Sequence, residues 1–347
     1  MVAMSGGVDS SVAAALLKEA GHDLTGVTMR LWGEAEDSDP TVSLAREACD
    51  LLGIEHKVLD VRESFWNHVI TYFLDEYIRD LTPNPCVRCN ETIKFGVLLK
   101  LMDLIRAERL ATGHYARVLL DGKTGNYMLM RALHEDKDQS YFLYRLTQKQ
   151  LSVSVFPLGD MTKAEVRDKA RRLGLPTAER EESQEICFIP DNDYRGFIES
   201  ERPDSVSEGE FVDAQGGVLG RHRGVAFYTI GQRKGLAVSS PLGRRYILDK
   251  DAATGRVTLG DEEDLKKESC FLESVTLTSG DKLADSLEAE IKLRYRCRSV
   301  KATLIPVMGR GVKVRFHAPQ AGVSPGQSVV FYDGHVVIGG GVIAKEK

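Results

Sequence analysis

The chain of 347 residues contains few cysteines, no long hydrophobic run and no overall excess of basic charge. No apolar run approaches the ~20 residues that a membrane-spanning helix needs. The first residues, MVAMSGG, lack the basic and apolar regions of a signal peptide. We therefore expect a cytoplasmic protein with no membrane partner. Thiols stay reduced in that compartment, so the six cysteines are expected to be reactive, metal-binding or buried.

The net charge of −5 argues, by itself, against a nucleic-acid-binding protein. The distribution of charge points the other way. Residues 214–248 and 291–332 contain no Asp or Glu but many cations, among them Arg244 and Arg310. A local basic field on an acidic protein is a plausible phosphate-binding surface, and ordinary surface charge is the alternative.

The pattern of apolar residues predicts an α/β fold with more than one domain. The first ~195 residues alternate short apolar strands with amphipathic helices, which is typical of a Rossmann-like parallel sheet. Phe65, Val69, Phe73 and Tyr77 form one helical stripe that we interpret as core. Asp121-Gly122 predicts a hairpin within 115–133, and Thr162 with Glu165 predicts a capping box that opens a helix. After 197 Gly and Pro increase and short strands are predicted, one of them at 225–230. From about 269 regular short strands predict a small β-barrel. We predict domains at 1–195, 196–268 (small and mostly β) and 269–347 (β-barrel).

A phosphate-binding loop is predicted where MSGGVDSS, residues 4–11, joins the first strand to the first helix. Two glycines let the backbone approach a ligand closely, and the start of the helix offers free N–H groups. The stretch is neither G-x-x-x-x-G-K-[ST] nor G-x-G-x-x-G, and it has no lysine for a γ-phosphate. Asp9 would repel a phosphate unless it held Mg²⁺ or capped the helix.

A pair of cysteines lies in TPNPCVRCN, residues 82–90, where the prolines and asparagines predict a loop. Cys86 and Cys89 are spaced as in metal sites, redox sites and sites with a reactive sulfur. Cys187 follows in ESQEICFIP, and neither spacing nor composition pairs it with them. Cys49 and Cys270 are interpreted as core thiols.

Several motifs together resemble one family over essentially the whole chain. SGGVDSS resembles the PP-loop of ATP pyrophosphatases. The chain also resembles the tRNA-specific 2-thiouridylases, the MnmA family. The motifs that carry this resemblance follow in the order NPCVRCNETIKFG, ATGHYAR, KDQSYFL, ESQEICFIP and GVAFYTIGQRKGL. The resemblance implies ATP-dependent conversion of the wobble uridine to 2-thiouridine in tRNAs for Lys, Glu and Gln. The implied ATP-binding residues are Ala3, Met4, Ser5, Gly6, Gly7, Val8, Asp9, Ser10, Met29 and Gly113.

The resemblance also implies the chemistry, with ATP and Mg²⁺ as cofactors. Cys187 would carry a persulfide loaded by a sulfur-donor protein, either a cysteine desulfurase or a relay protein. Cys89 would attack it, leaving AMP, pyrophosphate and a Cys89–Cys187 disulfide. Cys86 stands where the family often has Asp. An alternative is that these thiols, Cys86, Cys89 and Cys187, are ligands of an iron–sulfur cluster. Zinc is a weaker option as the bound metal. A third alternative is that Cys86 takes no part in the reaction.

Contacts to tRNA follow from the resemblance and from one charge pattern. In KLRYRCR, residues 292–298, the cations alternate and so are predicted to share one face of a β-strand. Chemistry at uracil C2 requires an unstacked base. The residues implied to contact the base or the tRNA are Asn84, Pro85, Cys86, His114, Lys137, Asp138, Gln139, Arg294, Tyr295 and Gln327. The alternatives are another PP-loop enzyme and a non-catalytic nucleotide- or metal-binding module.

Overall fold

The computed structural model describes residues 1–33, 39–180, 186–236, 238, 245–309 and 311–346. Arg244, Arg310 and the first half of ESQEICFIP lie outside the described residues. The helices are α1 Val8–Glu19, α2 Pro40–Leu52, α3 Arg62–Phe65, α4 Thr71–Ile78, α5 Pro85–Cys89, α6 Leu98–Ile105, α7 Gln148–Val153, α8 Lys163–Arg172 and α9 Tyr194–Glu201. Two π-helical segments, Trp66–Ile70 and Asn90–Val97, join α3 to α4 and α5 to α6.

A parallel sheet forms the N-terminal part, which confirms the predicted α/β class. Among the described residues its strand order is β3-β2-β1-β4-β7. The strands are β1 Val2–Ala3, β2 Thr25–Arg30, β3 Glu55–Asp60, β4 Leu110–Ala111 and β7 Ser154–Val155. Local signals set the helix ends: Asp39 caps α2 through the Thr41 amide, and Thr162 and Glu165 form a capping box on α8.

The aromatic stripe is confirmed as core. Phe65 and Phe73 are fully buried, Val69 is 1% exposed and Tyr77 8% exposed. They share one hydrophobic cluster with Cys89, which lies on the next helix. The stripe therefore packs against the helix that carries the C-x-x-C cysteines.

The predicted loop at 82–90 is wrong in its second half, because α5 begins at Pro85. Proline is favoured at the first helical position, where its missing N–H costs nothing. Asn84 caps the helix, with its Oδ1 accepting a hydrogen bond from the Val87 amide at 3.3 Å. The C-x-x-C pair is thus held on a helix and not on an irregular loop.

The middle part contains a small sheet of mixed direction. In the part of the chain that is described, its order is β10-β11-β8-β9. The strands are β8 Gly209–Val212, β9 Val218–His222, β10 Tyr246–Asp251 and β11 Arg256–Gly260. The strand predicted at 225–230 is wrong: Val225–Phe227 is a single 3₁₀ turn whose apolar side chains are buried. A short apolar run cannot be assigned to a strand by periodicity alone.

The predicted C-terminal barrel is confirmed. Within the described ranges six antiparallel strands close in the order β12-β15-β14-β13-β16-β17, with β12 paired to β17. They are β12 Lys267–Leu277, β13 Leu287–Lys292, β14 Val300–Val307, β15 Gly311–Gln320, β16 Ser328–Asp333 and β17 Val336–Ile343. The hairpin of β5 Ala116–Leu120 and β6 Tyr127–Arg131, predicted from Asp121-Gly122, joins this barrel through Met130 and Val336.

The predicted row of cations on one strand face is wrong. Strand β13 ends at Lys292, whose buried side chain lies 3.7 Å from Asp138, and residues 293–299 form a turn. Arg294, Arg296 and Arg298 are exposed on that turn. The basic surface therefore belongs to a loop at one end of the barrel.

A domain junction forms where Asp80, Lys250, Ala252 and Lys345 meet. The buried Asp80 Oδ2 accepts hydrogen bonds from the Ala252 amide at 2.6 Å and from Lys345 Nζ at 3.1 Å. Lys250 is 2% exposed and donates to the Tyr228 carbonyl at 2.9 Å. The contacts join the parallel-sheet part, the middle sheet and the end of the barrel.

The predicted domain limits 1–195, 196–268 and 269–347 stay a prediction. No described helix has the length and apolar character to cross a membrane.

Candidate functional site

The phosphate loop, residues 4–11, is organised by its own serines. Ser10 Oγ accepts from the Ser5 amide at 3.1 Å and donates to the Gly7 carbonyl at 3.0 Å. Gly6 has a φ of 61°, and a Cβ there would lie 2.5 Å from the Thr41 carbonyl oxygen. Helix α1 starts without a side-chain cap, so the N–H groups of its first turn face the loop and suit an anion.

Two other predicted ATP-binding residues border this loop or its sheet. Gly113 packs directly on it, because a Cβ at Gly113 would lie 2.7 Å from the Ser10 amide nitrogen. Met29 is half-buried in β2, next to β1. Ala3, Met4 and Val8 belong to the end of β1 and the start of α1. The sequence-predicted nucleotide residues therefore lie together at one edge of the sheet.

Cations at the phosphate loop come from far along the chain, and sequence reasoning missed them. Lys163 Nζ donates to Asp9 Oδ1 and Oδ2 at 2.8 and 2.9 Å, and the Tyr115 hydroxyl donates to Oδ1 at 2.8 Å. Arg180 Nη1 donates to the Gly6 carbonyl at 2.7 Å. The capping box gave the start of α8 but not the direction of the Lys163 side chain, so no local signal revealed this pair.

The structure brings the three predicted sulfur residues together as a thiol cluster of Cys86, Cys89 and Cys187. Cys86 and Cys89 lie three residues apart on α5 and so share a face. Cys89 is buried in the same hydrophobic cluster as Phe188, the neighbour of Cys187. Cys86 and Cys187 are open to solvent. All three are free thiols, and Cys89 senses the charge of both Cys86 and Cys187, while Cys187 senses that of Cys86.

Burial controls the protonation of the cluster. Desolvation raises the pKa of Cys89 to about 12 and that of Cys187 to about 11, and it raises the pKa of Cys86 as well. Cys86 and Cys187 thus touch solvent while protein surrounds most of each thiol, which is the environment of a recess. The positive charge of Lys94 opposes the rise at all three sulfurs. The resting thiols are therefore protonated at neutral pH.

The described residues contain no group of three or more His, Cys, Asp or Glu side chains placed to hold a metal ion. The thiol cluster as arranged therefore does not fit an iron–sulfur cluster or zinc. Magnesium is a different case, since it is usually held by one or two carboxylates together with substrate phosphates. Asp9 is the carboxylate of the phosphate loop and fits that donor set.

Three of the residues implied to contact the base, Asn84, Pro85 and His114, also make contacts within the protein. Asn84 and Pro85 begin the helix of the thiol cluster. His114 is buried between Phe95 and Phe156, with Nδ1 2.7 Å from Thr112 Oγ1. Desolvation, followed by the charge of Lys94, lowers the pKa of His114, so its ring is neutral.

The other implied tRNA contacts differ in accessibility. Asp138 is buried and accepts hydrogen bonds from the Ala132 and Ser140 amides, and Gln139 Oε1 accepts from the Tyr115 amide. Lys137 is half-buried and Arg294 is exposed. Tyr295 packs on Phe142 with ring centroids 4.4 Å apart. Gln327 Nε2 donates to the Thr82 carbonyl at 3.1 Å and so connects the barrel to the segment before α5.

Comparisons with known proteins agree along the whole chain. The family model described as "tRNA methyl transferase HUP domain" matches residues 1–191. Those described as "tRNA methyl transferase PRC-barrel domain" and "Aminomethyltransferase beta-barrel domain" match 195–261 and 267–343. Among curated proteins, "tRNA-specific 2-thiouridylase MnmA 1" of Caldanaerobacter subterraneus subsp. tengcongensis is 47% identical, over 100% of this chain and 98% of its own length. The protein named "tRNA-specific 2-thiouridylase MnmA" of Clostridium acetobutylicum is 43% identical, over 99% of this chain and 98% of its own. The chain therefore belongs to the tRNA-specific 2-thiouridylase family of enzymes.

Proposed function

We propose that this chain catalyses ATP-dependent 2-thiolation of the wobble uridine in tRNAs for Lys, Glu and Gln. The observation that carries the proposal is the meeting of Cys187 with Cys86 and Cys89 in one recess, although Cys187 is distant in sequence. The phosphate loop supplies the site for ATP. Cytoplasmic location stays a prediction from the sequence.

The first step activates a poor electrophile. The O2 atom of the extruded uridine attacks the α-phosphorus of ATP, the bond to the β-phosphate oxygen breaks, and pyrophosphate leaves. The phosphate loop binds the phosphates with its amides, while Lys163 and Arg180 supply positive charge beside it. Mg²⁺ would neutralise phosphate charge when bound with ATP, and Asp9 is the residue that would hold it.

The second step transfers sulfur. The Cys89 thiolate attacks Sγ of the Cys187 persulfide, forming the Cys89–Cys187 disulfide and releasing the terminal sulfur as hydrosulfide. Two thiols are thereby oxidised while the sulfane sulfur takes up two electrons. Hydrosulfide then adds to C2, the C2–O bond breaks, AMP leaves and one proton goes to solvent. A thiol reductant restores the pair, and a donor protein reloads Cys187.

The residues around the thiol cluster would hold the base. Asn84 and Pro85 fix the start of α5, and Gln327 fixes the segment before it. The charge of Cys86 acts on both reacting sulfurs, and Cys86 is open to solvent. In this scheme Cys86 lines the base pocket and forms no bond to sulfur. Tyr295 and Arg294 lie on the exposed turn of the barrel and would contact the tRNA.

The experiment is mass spectrometry of tRNA nucleosides after incubation with ATP, Mg²⁺ and a persulfide donor. We expect 2-thiouridine and tRNA-dependent pyrophosphate, and loss of both sulfur incorporation and disulfide in Cys187→Ser. Cys49→Ala is the matched control, because Cys49 lies in a separate core cluster. Orthophosphate as product, or a methylated uridine without sulfur, contradicts the proposal. Formation of 2-thiouridine that requires iron under anaerobic conditions would favour the iron–sulfur alternative.

A further inference from the structure

Lys94 lies on the same helical unit as two of the three thiols. Helix α5 ends at Cys89, and the π-helical segment begins at the next residue. In a π-helix the backbone bonds join residues five apart, and such segments occur frequently at functional sites. Lys94 is five residues after Cys89. The change of helix type at Asn90 therefore directs the Lys94 side chain toward the side of the helix that carries the thiol cluster.

Within the described residues Lys94 has no acidic partner, unlike its neighbours. It is half-buried, and no Asp or Glu of the described chain forms an ion pair with it. Arg88, on the same helical unit, pairs with Glu91 at 3.1 Å, and Glu91 also binds Arg145 at 3.2 Å. A cation removed from water without a counter-ion is costly. Its half-buried ammonium is therefore available to an anion that enters the recess.

The groups that sense Lys94 are the reacting ones. Its charge lowers the pKa of Cys86, Cys89 and Cys187 against the larger effect of burial, and it also lowers the pKa of His114. The charge of Lys94 thus acts on both the thiol cluster and the buried ring of His114. No other cation affects all three thiols in the part of the chain that is described.

We propose that Lys94 is a positioning residue that neutralises the negative charge that moves from the Cys89 thiolate to the sulfur released from Cys187 toward the activated base. This inference rests on the proposed sulfur transfer. The Cys89 thiolate and the released hydrosulfide each carry one negative charge, and the outer sulfur of the protonated Cys187 persulfide gains negative charge as its bond to Sγ breaks. One fixed cation beside all three sulfurs stabilises each of these anions in turn within a recess that otherwise disfavours charge.

The test measures the local field at Cys187 without depending on catalysis. Purified full-length protein is alkylated at one pH with iodoacetate, which is anionic, and with iodoacetamide, which is neutral, and Cys187 labelling is followed by peptide mass spectrometry. The thiolate fraction cancels in the ratio of the two rates, so the ratio reports nearby charge. We expect Lys94→Met to lower the iodoacetate-to-iodoacetamide ratio by about tenfold, and Lys94→Arg to retain it.

Lys100→Met is the matched control, because Lys100 is an exposed lysine on the same helical unit, and its ratio is expected to be unchanged. In single-turnover thiolation, Lys94→Met is expected to lower the rate while leaving the KM for tRNA unchanged. An unchanged alkylation ratio in Lys94→Met overturns the inference, as does an equal fall in the control. A raised KM for tRNA with an unchanged rate overturns it in favour of a phosphate contact. Absence of thiolation by the wild type counts against the proposed function alone, because the alkylation ratio is read without tRNA.

Discussion

Asp80→Asn is expected to loosen the domain junction without changing the shape of the side chain. Asp80 is 5% exposed and has a φ of 64°, a left-handed conformation that Asn tolerates as well as Asp. The amide oxygen of Asn can still accept from Ala252. What disappears is the negative charge between Lys345, which it binds at 3.1 Å, and the buried Lys250.

The size of the effect follows from burial. Removing one partner of a buried ion pair costs about 3–5 kcal/mol. The side chain of Lys345 is 42% exposed, so its share is under about 1 kcal/mol. Lys250 senses the charge of Asp80, but its pKa of about 8 limits the cost of losing that charge to about 1.4 kcal/mol at pH 7, because the lysine can release its proton instead. At 1.4 kcal/mol per factor of ten, opening of the junction becomes about tenfold more frequent.

Hydrogen exchange measures this opening directly, because the Ala252 amide donates to Asp80. We expect the peptide that contains Ala252 to exchange about tenfold faster in Asp80→Asn. The control is Asp75→Asn, whose carboxylate is exposed on the preceding helix and lies 3.8 Å from Arg202. Exchange that stays within about threefold of the wild type would refute the reasoning, since the junction would then not depend on this charge.

Three further predictions concern the phosphate loop, the buried lysine and the tRNA surface. Lys163→Met is expected to raise the KM for ATP about tenfold or more in a pyrophosphate-release assay, while Lys169→Met on the same helix leaves it unchanged; equal KM values contradict this. Burial lowers the pKa of Lys250 to about 8, so the unfolded chain binds this proton more tightly than the folded chain does. The free energy of unfolding therefore rises by about 2 kcal/mol between about pH 8 and pH 10, as Lys250 loses its charge in the folded state. Urea unfolding is expected to show that rise in stability in the wild type but not in Lys250→Met, and the same slope in both excludes Lys250 as its origin. Tyr295→Ala is expected to weaken tRNA binding about tenfold or more in a filter-binding assay, because stacking on a base is lost; an unchanged Kd contradicts the contact.

Local signals were sufficient for most of the fold. The aromatic stripe from Phe65 to Tyr77, the capping box at Thr162 and the Asp121-Gly122 turn each depend on neighbouring residues. The structure confirms all three. The alternation of strands and helices likewise predicted the parallel sheet, and evenly spaced short strands predicted the barrel.

The errors arose where one residue type has two structural uses. Pro85 was interpreted as a loop residue, but at the first position of a helix proline is favoured. The alternating cations after Lys292 were interpreted as a strand face, but the strand ends there and the chain turns. A buried apolar run such as 225–227 fits either a strand or a helical turn.

Contacts between distant segments could not be predicted from local patterns. Lys163 and Asp9 are 154 residues apart, and Lys345 and Asp80 are 265 apart. Neither pair leaves a mark in spacing or composition. The position of Lys94 beside the thiol cluster depends on a π-helical segment, which the apolar periodicity did not distinguish from an α-helix. The meeting of Cys187 with Cys89 was implied by resemblance alone.

Peptide mass spectrometry under non-reducing conditions tests the sulfur-transfer account most directly. The protein, loaded with a persulfide on Cys187, is given tRNA and ATP for a single turnover and then acid-quenched. The account predicts one Cys89–Cys187 disulfide for each 2-thiouridine formed, and none when ATP is omitted. Formation of 2-thiouridine while Cys89 and Cys187 both remain as free thiols would contradict it.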